Sequence, residues 1–509
     1  MNLDFSSQVH FLLALLPESV LVLTAIVVLV GDVFARSGQS GPSPAWVRWL
    51  SLIGLAGAAA ANFWLGGLGP GPATQMIALD AFRILANYIL IGVALMSLLF
   101  AFDYLDCEQL NIGEFYFLVL TATAGMMLMA ASRDLIPLFV SLELMSLSVY
   151  ILVGIRRHDP RSSEAALKYF LMGAFASAFL LYGIALLFGA TGSTNLALVG
   201  LEVVSAVEQG NVLLAGGVVL LLIGFAFKIS AVPFHMWTPD AYEGAPTPVT
   251  GFMAAGVKAA AFVALLRIVG VELSEAESTW RPVLWWLAIL TMIVPNLVAL
   301  AQDNVKRMLA YSSVAHAGYL LVGIVSANLL GRSASLFYLA IYSLMTLGAF
   351  AVVYQVVSAG ESGDGYDAYA GLGWRRPALG ALLTLCLLSL AGFPPTGGFI
   401  GKFYLLTAAV EAGETTLAVV LVLSSLVAYY YYLRVIWRMY FESGTGEQAQ
   451  PERLGLAFRV AGAATALGIL VAGLLPGPAL SVAERAGASL QPGAEVSAVT
   501  PPAPVADAR

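Results

Sequence analysis

Residues 211–248, NVLLAGGVVLLLIGFAFKISAVPFHMWTPDAYEGAPTP, begin as a membrane helix and do not finish as one. The first part is apolar enough for hydrocarbon, but Lys228 interrupts it, and Pro233, Pro239, Pro246 and Pro248 follow. Proline removes a backbone donor and breaks the helical ladder. In a bilayer such a break survives only where protein or a watery cavity satisfies the freed backbone groups. A second stretch, GFPPTGGFIGKF at 392–403, repeats the pattern with Pro394, Pro395 and clustered glycines ahead of Lys402. Paired broken helices, one in each half of a chain, point to an inverted-repeat transporter core with its ion site near the midplane.

The remainder of the 509 residues fits that reading. With 60% hydrophobic and 11% charged residues and a mean hydropathy of +0.86, the chain holds more apolar surface than a soluble core can hide. The charge-free runs 169–201, 377–401 and 460–483 each reach the roughly 20 residues a span requires. No strand alternation accompanies them, so the spans are helices. Cutting at charged, Pro-rich and Gly-rich punctuation predicts an all-α polytopic membrane protein with about 14 transmembrane helices. The seventh span, 211–238, and the twelfth, 377–410, are the broken ones, and the Pro-, Ala- and Gly-rich tail after Leu490 reads as disordered.

Basic residues alternate from loop to loop. Arg36 and Arg48, Arg156, Arg157 and Arg161, Lys306 and Arg307, Arg375 and Arg376, and Arg453 fall on one side; Glu202, Glu208, Glu272, Glu275, Glu277, Glu411 and Glu414 fall on the other. The retention of Lys and Arg in the cytoplasm places both termini outside. No Lys or Arg precedes Arg36, so the first apolar stretch reads as a permanent span and not as a cleaved signal. Cys107 and Cys386 supply neither a disulfide framework nor a metal-ligand set. No basic stripe suggests nucleic acid. The glycines around Lys402 lack the spacing and the Ser or Thr of a phosphate loop.

Only five of the 24 basic residues are lysines, and Lys168, Lys228, Lys258 and Lys402 lie inside apolar segments. A charge at the centre of a membrane helix costs about 2.5–3.5 kcal/mol even on the mild insertion scale, and the usual reason for it is ion or proton movement. Glu143, mid-helix in SLELMSLSVYIL, is expected to pair with Lys228. The bland alternative is a static ion pair that fixes packing. Lys258 sits among Gly and Ala and should face a hydrated interior. Lys168, close to a helix start, is equally well explained by the positive-inside bias. His316, in YSSVAHAGY, and His235, between Pro233 and Trp237, are candidate proton carriers or hydrogen-bonded core histidines. Tyr429–Tyr432 read as interfacial anchors, and Lys306 beside Arg307 as a loop charge.

FKISAVPFHMWTPDAYEGAPTPVTGFMAAGVKAAAF at 227–262, NVKRMLAYSSVAHAGY at 304–319 and GFPPTGGFIGKF together resemble the antiporter-like membrane subunits of proton-pumping NADH:quinone oxidoreductase, respiratory complex I, and among them subunit N. The resemblance runs from the first span to about Arg438. It implies a three-helix segment at 1–112, two inverted five-helix repeats at 113–270 (helices 4 to 8) and 271–441 (helices 9 to 13), and a last helix with its tail at 442–509. It also implies proton-transfer roles for Glu143, Lys228, Lys258 and Lys402, and Lys168 matches a lysine of helix 6. The resemblance to subunit N rests on two departures from its sisters: subunit M typically has Glu where Lys402 stands, and subunit L has a long lateral helix. The expected partners are subunits K and M in a bacterial cell membrane, with NADH, FMN, iron–sulfur clusters and quinone bound by other subunits and none by this chain. A cation/proton antiporter subunit of the related multi-subunit family and a non-pumping scaffold are the competing readings.

Overall fold

The structure, a computed structural model, describes residues 8–36, 41–68, 76–357, 365–443 and 454–490. Among these the fold is helical throughout, with only isolated bridges such as Ile77 to Ser132 and Asp134 to Asn195. Among the described residues, twelve helices are long and apolar enough to cross a membrane. In chain order they begin with α1 (Leu16–Arg36), α2 (Ala45–Gly67), α3 (Ala81–Cys107), α4 (Gly113–Ala131), α5 (Leu135–Val153) and α6 (Pro160–Thr191). A short helix α7 (Leu196–Glu208) precedes the first broken span, α8 (Val212–Lys228) and α9 (Trp237–Gly244). Then come α10 (Thr247–Val271), α11 (Glu277–Leu300), α12 (Val305–Val325) and α13 (Leu329–Val357). The second broken span is α14 (Pro377–Ala391) with α15 (Gly397–Glu411), followed by α16 (Thr415–Phe441), α17 (Leu456–Leu474) and α18 (Gly477–Ala488).

Residues 229–236 and 392–396, which hold Pro233, Pro394 and Pro395, are not helical. Two long apolar runs are not single spans. The run 169–201 is cut where Gly192 adopts a left-handed φ of 71° at the end of α6 and Asn195 caps α7, its side chain accepting from the amides of Ala197 and Leu198. Glycine closes a helix in this way without a Cβ penalty. The run 460–483 is cut at Leu475 and Pro476, and α18 starts afresh at Gly477. Hydropathy registers neither cut, because both shorter helices bury an apolar stripe: Leu196, Val199, Val203 and Ala206 in α7, and Leu480, Ala483 and Ala486 in α18. The tail beyond Leu490 lies outside the described residues.

The broken spans are held by close backbone approach. A Cβ on Gly183 of α6 would lie 2.6 Å from the amide nitrogen of Leu221 in α8, and one on Gly217 of α8 would lie 2.9 Å from that of Leu187 in α6. Small residues at facing positions permit this contact, which in lipid takes the place of a hydrophobic driving force. At the second break Gly398 packs so tightly that a Cβ would sit 1.9 Å from the Ser389 carbonyl oxygen. α12 and α13, and α10 almost throughout, are buried by the other helices, so the chemistry-bearing side chains on α10 and α12 lie in the interior.

The charged ends are cross-linked among themselves. At one end Arg36 meets Glu114 at 3.1 Å, Arg156 meets Glu108 at 2.8 Å, and Arg434 meets Asp303 at 3.2 Å. At the other, Arg83 binds Glu18 at 2.9 Å and Arg267 binds Asp80 at 2.7 Å, all four side chains being buried.

Candidate proton-transfer site

Lys228, the last residue of α8, is buried and donates to Ser146 Oγ at 2.7 Å and Tyr150 Oη at 3.1 Å, both on α5. Glu143 precedes Ser146 by one helical turn but does not bind the lysine. Its carboxylate accepts from Ser177 Oγ on α6, and among the described residues no direct ion pair joins Glu143 to Lys228. The expected pair is therefore replaced by a carboxylate and an ammonium on one helical face, separated by a hydroxyl. The physical reason is register: the ammonium reaches the i+3 and i+7 positions relative to Glu143, Ser146 and Tyr150, which share its face of α5.

Lys258 opens the regular α-helical portion of α10 after a π-helical turn at Met253–Val257. Its ammonium donates to the Ser313 carbonyl at 2.7 Å and to Ser313 Oγ on α12, and lies 5.8 Å from the Tyr242 ring. Ser312, Ser313, Tyr342 and Thr346 line one side of a cavity of about 10 Å³ that Leu309, Ala349, Phe350 and Leu390 complete. Further along α12, His316 Nδ1 is 2.6 Å from Tyr338 Oη and Nε2 is 3.1 Å from Tyr432 Oη, which in turn contacts Ser312 Oγ. Tyr319, one turn on, places its ring 4.7 Å from the ammonium of Lys402. Lys402 donates to the Ala391 carbonyl at 2.9 Å.

α12 therefore presents Ser312, Ser313, His316 and Tyr319 as a polar stripe between Lys258 and Lys402. Lys228, Lys258 and Lys402 are bound by neutral oxygens and aromatic faces, and among the described residues no carboxylate contacts them. A hydroxyl or imidazole both donates and accepts, which is the chemistry a proton relay requires.

The other candidates separate from this group. Lys168 is half-exposed and pairs with Glu164 at 2.8 Å and Asp240 at 3.1 Å, at the arginine-rich end of the molecule. His235 lies half-buried in the first break, with Nδ1 buried and unpartnered.

A family model described as the transmembrane NADH:quinone oxidoreductase/Mrp antiporter family matches residues 132–428. The chain belongs to this family. It is 46% identical over 479 residues to NADH-quinone oxidoreductase subunit N of Trichlorobacter lovleyi, with 93% of this chain and 96% of that protein covered. A chain in respiratory complex I from Thermus thermophilus superposes with a TM-score of 0.76 at 37% identity, covering 92% of this chain and 99% of the other. A chain of the Mrp complex from a Dietzia species reaches a TM-score of 0.75 at 24% identity, over 93% of this chain and 97% of that one, a likeness of fold alone.

Two parts of this antiporter-family interior were misread from sequence. Lys306 is not a loop charge: it lies buried in α12 and donates to the carbonyls of Glu243 at 3.1 Å and Ala245 at 2.7 Å. Nor are all of Tyr429–Tyr432 interfacial anchors. Tyr431 and Tyr432 are fully buried, Tyr431 donating to Asn296 at 2.7 Å, and only Tyr430 is exposed. The Ser, His and Tyr spacing on α12 was the signal that paired with them, since a polar stripe in a buried helix requires partners on a neighbouring helix.

Proposed function

We propose that this chain is a membrane-arm subunit of a proton-pumping NADH:quinone oxidoreductase and carries protons along Lys228, Lys258 and Lys402. The observation that supports it most directly is the α12 stripe, Ser313 on Lys258 and Tyr319 on Lys402 with His316 between them. A lysine held by neutral groups is not locked in its charged form by a counter-ion, so a change in nearby charge shifts its proton occupancy. Glu143, one turn from Ser146, is the carboxylate on the α5 face and biases Lys228 through its field across that turn, without a direct pair. A coupling of about 1–3 kcal/mol between neighbouring stations is enough to switch occupancy by 5- to 150-fold.

On this reading the broken helices bring the membrane crossings to fourteen, in two inverted repeats of five, and the enzyme is a translocase. NADH, FMN, iron–sulfur clusters and quinone belong to other subunits, and subunits K and M are the neighbours. The arginine-rich end faces the cytoplasm of a bacterial cell and both termini lie outside. Lys168 and His235 serve at the cytoplasmic entrance and at the break.

The test is Lys402→Arg beside Lys402→Ala in the assembled complex. Arginine keeps the positive charge but does not release a proton at accessible pH. Both variants should lose most pumping; near-normal translocation by Lys402→Arg overturns the titrating role.

A further inference from the structure

Half-helix α9 lies between two of the buried lysines and is tied to both halves of the molecule by charge. Trp237, its first residue, donates Nε1 to the Phe227 carbonyl at 3.1 Å and stacks on Tyr169 of α6 at 4.2 Å, so it rests on the turn that carries Lys228. Tyr242, farther along α9, meets Lys258 through its ring. Toward the arginine-rich end, Asp240 accepts from two cations on opposite oxygens: Lys168 of α6 on Oδ2 at 3.1 Å and Arg307 of α12 on Oδ1 at 3.1 Å. Arg307 also reaches Glu243 at 2.7 Å, and Lys306 caps the carbonyls at the end of α9.

An eight-residue helix is too short to persist by itself, and the break at 229–236 separates it from α8. Its placement therefore depends on what holds it. Half-exposed ion pairs are individually weak, but a rotation or slide of α9 disturbs one or other of the two that Asp240 makes. A cation at a helix C-terminus, as Lys306 is here, adds to the hold.

We propose that Asp240 is a positioning residue for proton transfer, joining a cation of the first half to a cation of the second so that Trp237 and Tyr242 are kept against the Lys228 turn and Lys258. The inference rests on the proton-carrying reading above. It assigns Asp240 no proton of its own. It makes the two halves sense each other through α9, because a displacement of α6 or α12 pulls on the same carboxylate.

The experiment compares Asp240→Asn, Asp240→Glu, Lys168→Gln and Lys402→Ala in membrane vesicles containing the whole complex, measuring NADH:quinone reductase turnover and proton uptake together. Asp240→Asn should assemble and lower the protons moved per electron several-fold, and Asp240→Glu should restore most of that ratio. Lys168→Gln, which removes one of the two ties, should give a smaller fall in the same ratio. Should Asp240→Asn fail to assemble, Lys168→Gln carries the test, and a wild-type ratio in it overturns the proposal. A wild-type ratio in Asp240→Asn, or an Asp240→Glu variant as poor as the Asn one, overturns it equally. The Lys402→Ala control separates the failures: normal pumping there sinks the proton-carrying reading, whereas lost pumping there with a normal Asp240→Asn sinks only the positioning role.

Discussion

The two interrupted segments, α8 with α9 and α14 with α15, place their lysines on opposite sides of the interruption. Lys228 is itself the last residue of α8, before the break. Lys402 lies beyond its break, inside α15, and turns back to the carbonyl of Ala391, the last residue of α14. A helix C-terminus carries partial negative charge that favours a nearby cation by about 0.3–1 kcal/mol, and by about 2 kcal/mol in partly buried settings. Lys402 thus has a helix end beside its ammonium, whereas the Lys228 ammonium reaches away from its own helix end to hydroxyls of α5. A formal counter-ion would hold the proton in place, whereas a half-charge steadies the ammonium and still lets it leave. The surroundings differ: Lys228 has two hydroxyls of α5 beside it, and Lys402 has the face of Tyr319.

The sharpest way to break this comparison is at the backbone of the second break. Gly398→Val drives a branched side chain into the Ser389 carbonyl, and the α14–α15 geometry has no room to give. The expected result is loss of the assembled subunit, seen as its absence from the purified complex, and normal assembly would show that the break tolerates rearrangement. The first break has no glycine so confined, so Ser230→Ala there, which removes a buried hydroxyl without a protein partner, should leave assembly intact.

A control remote from both breaks comes next. Asp80 is held below the usual carboxylate range: burial alone would raise it, but the paired Arg267 guanidinium and the Arg83 amide outweigh that. A depressed carboxylate contributes stability that is full above its unfolded pKa, about 3.9, and is lost as pH falls through the lower folded value. Asp80→Asn leaves Arg267 buried without its anion and should cost about 3–5 kcal/mol, with a lowered melting temperature at neutral pH and a flatter acid limb of the melting profile. Equal acid sensitivity in variant and wild type would remove the pair from the account.

The smallest effect is expected at the first site. Because Glu143 contacts Ser177 and not Lys228, Glu143→Gln should preserve assembly and lower pumping less than Lys402→Ala does. A collapse as deep as that of the lysine variant would mean that the carboxylate and Lys228 do meet during turnover.

Much of the architecture was legible in residues 211–248 and 392–403, because proline and glycine act on the backbone locally and Lys228 and Lys402 stood out against apolar neighbours. The ends of α6 and α17 near 190 and 477 were legible from punctuation, but the short helices α7 and α18 that restart after Asn195 and Pro476 were not, because their hydropathy continues that of the preceding span. Lys258 and His316 were legible as interior groups, but the contacts of Lys258 with Ser313 and of His316 with Tyr432 were not, since they depend on how α10, α12 and α16 face one another. Lys306 misled because charge next to Arg307 resembles a loop, whereas Asn304 caps α12 ahead of it and puts the lysine in the first turn.

The end of the described chain fastens its beginning. α18 lies against α13 and α3, the Arg332 side chain donates to the Leu490 carbonyl at 2.9 Å, and Ser489 Oγ accepts from the Phe82 amide at 3.1 Å. Residues far apart in sequence thus share one clasp, closing the molecule into a loop in which the first three spans are latched to the second half. A ribosome that has not yet delivered α18 leaves that latch open, so the Phe82 amide at the start of α3 gains its Ser489 partner only after α18 has emerged.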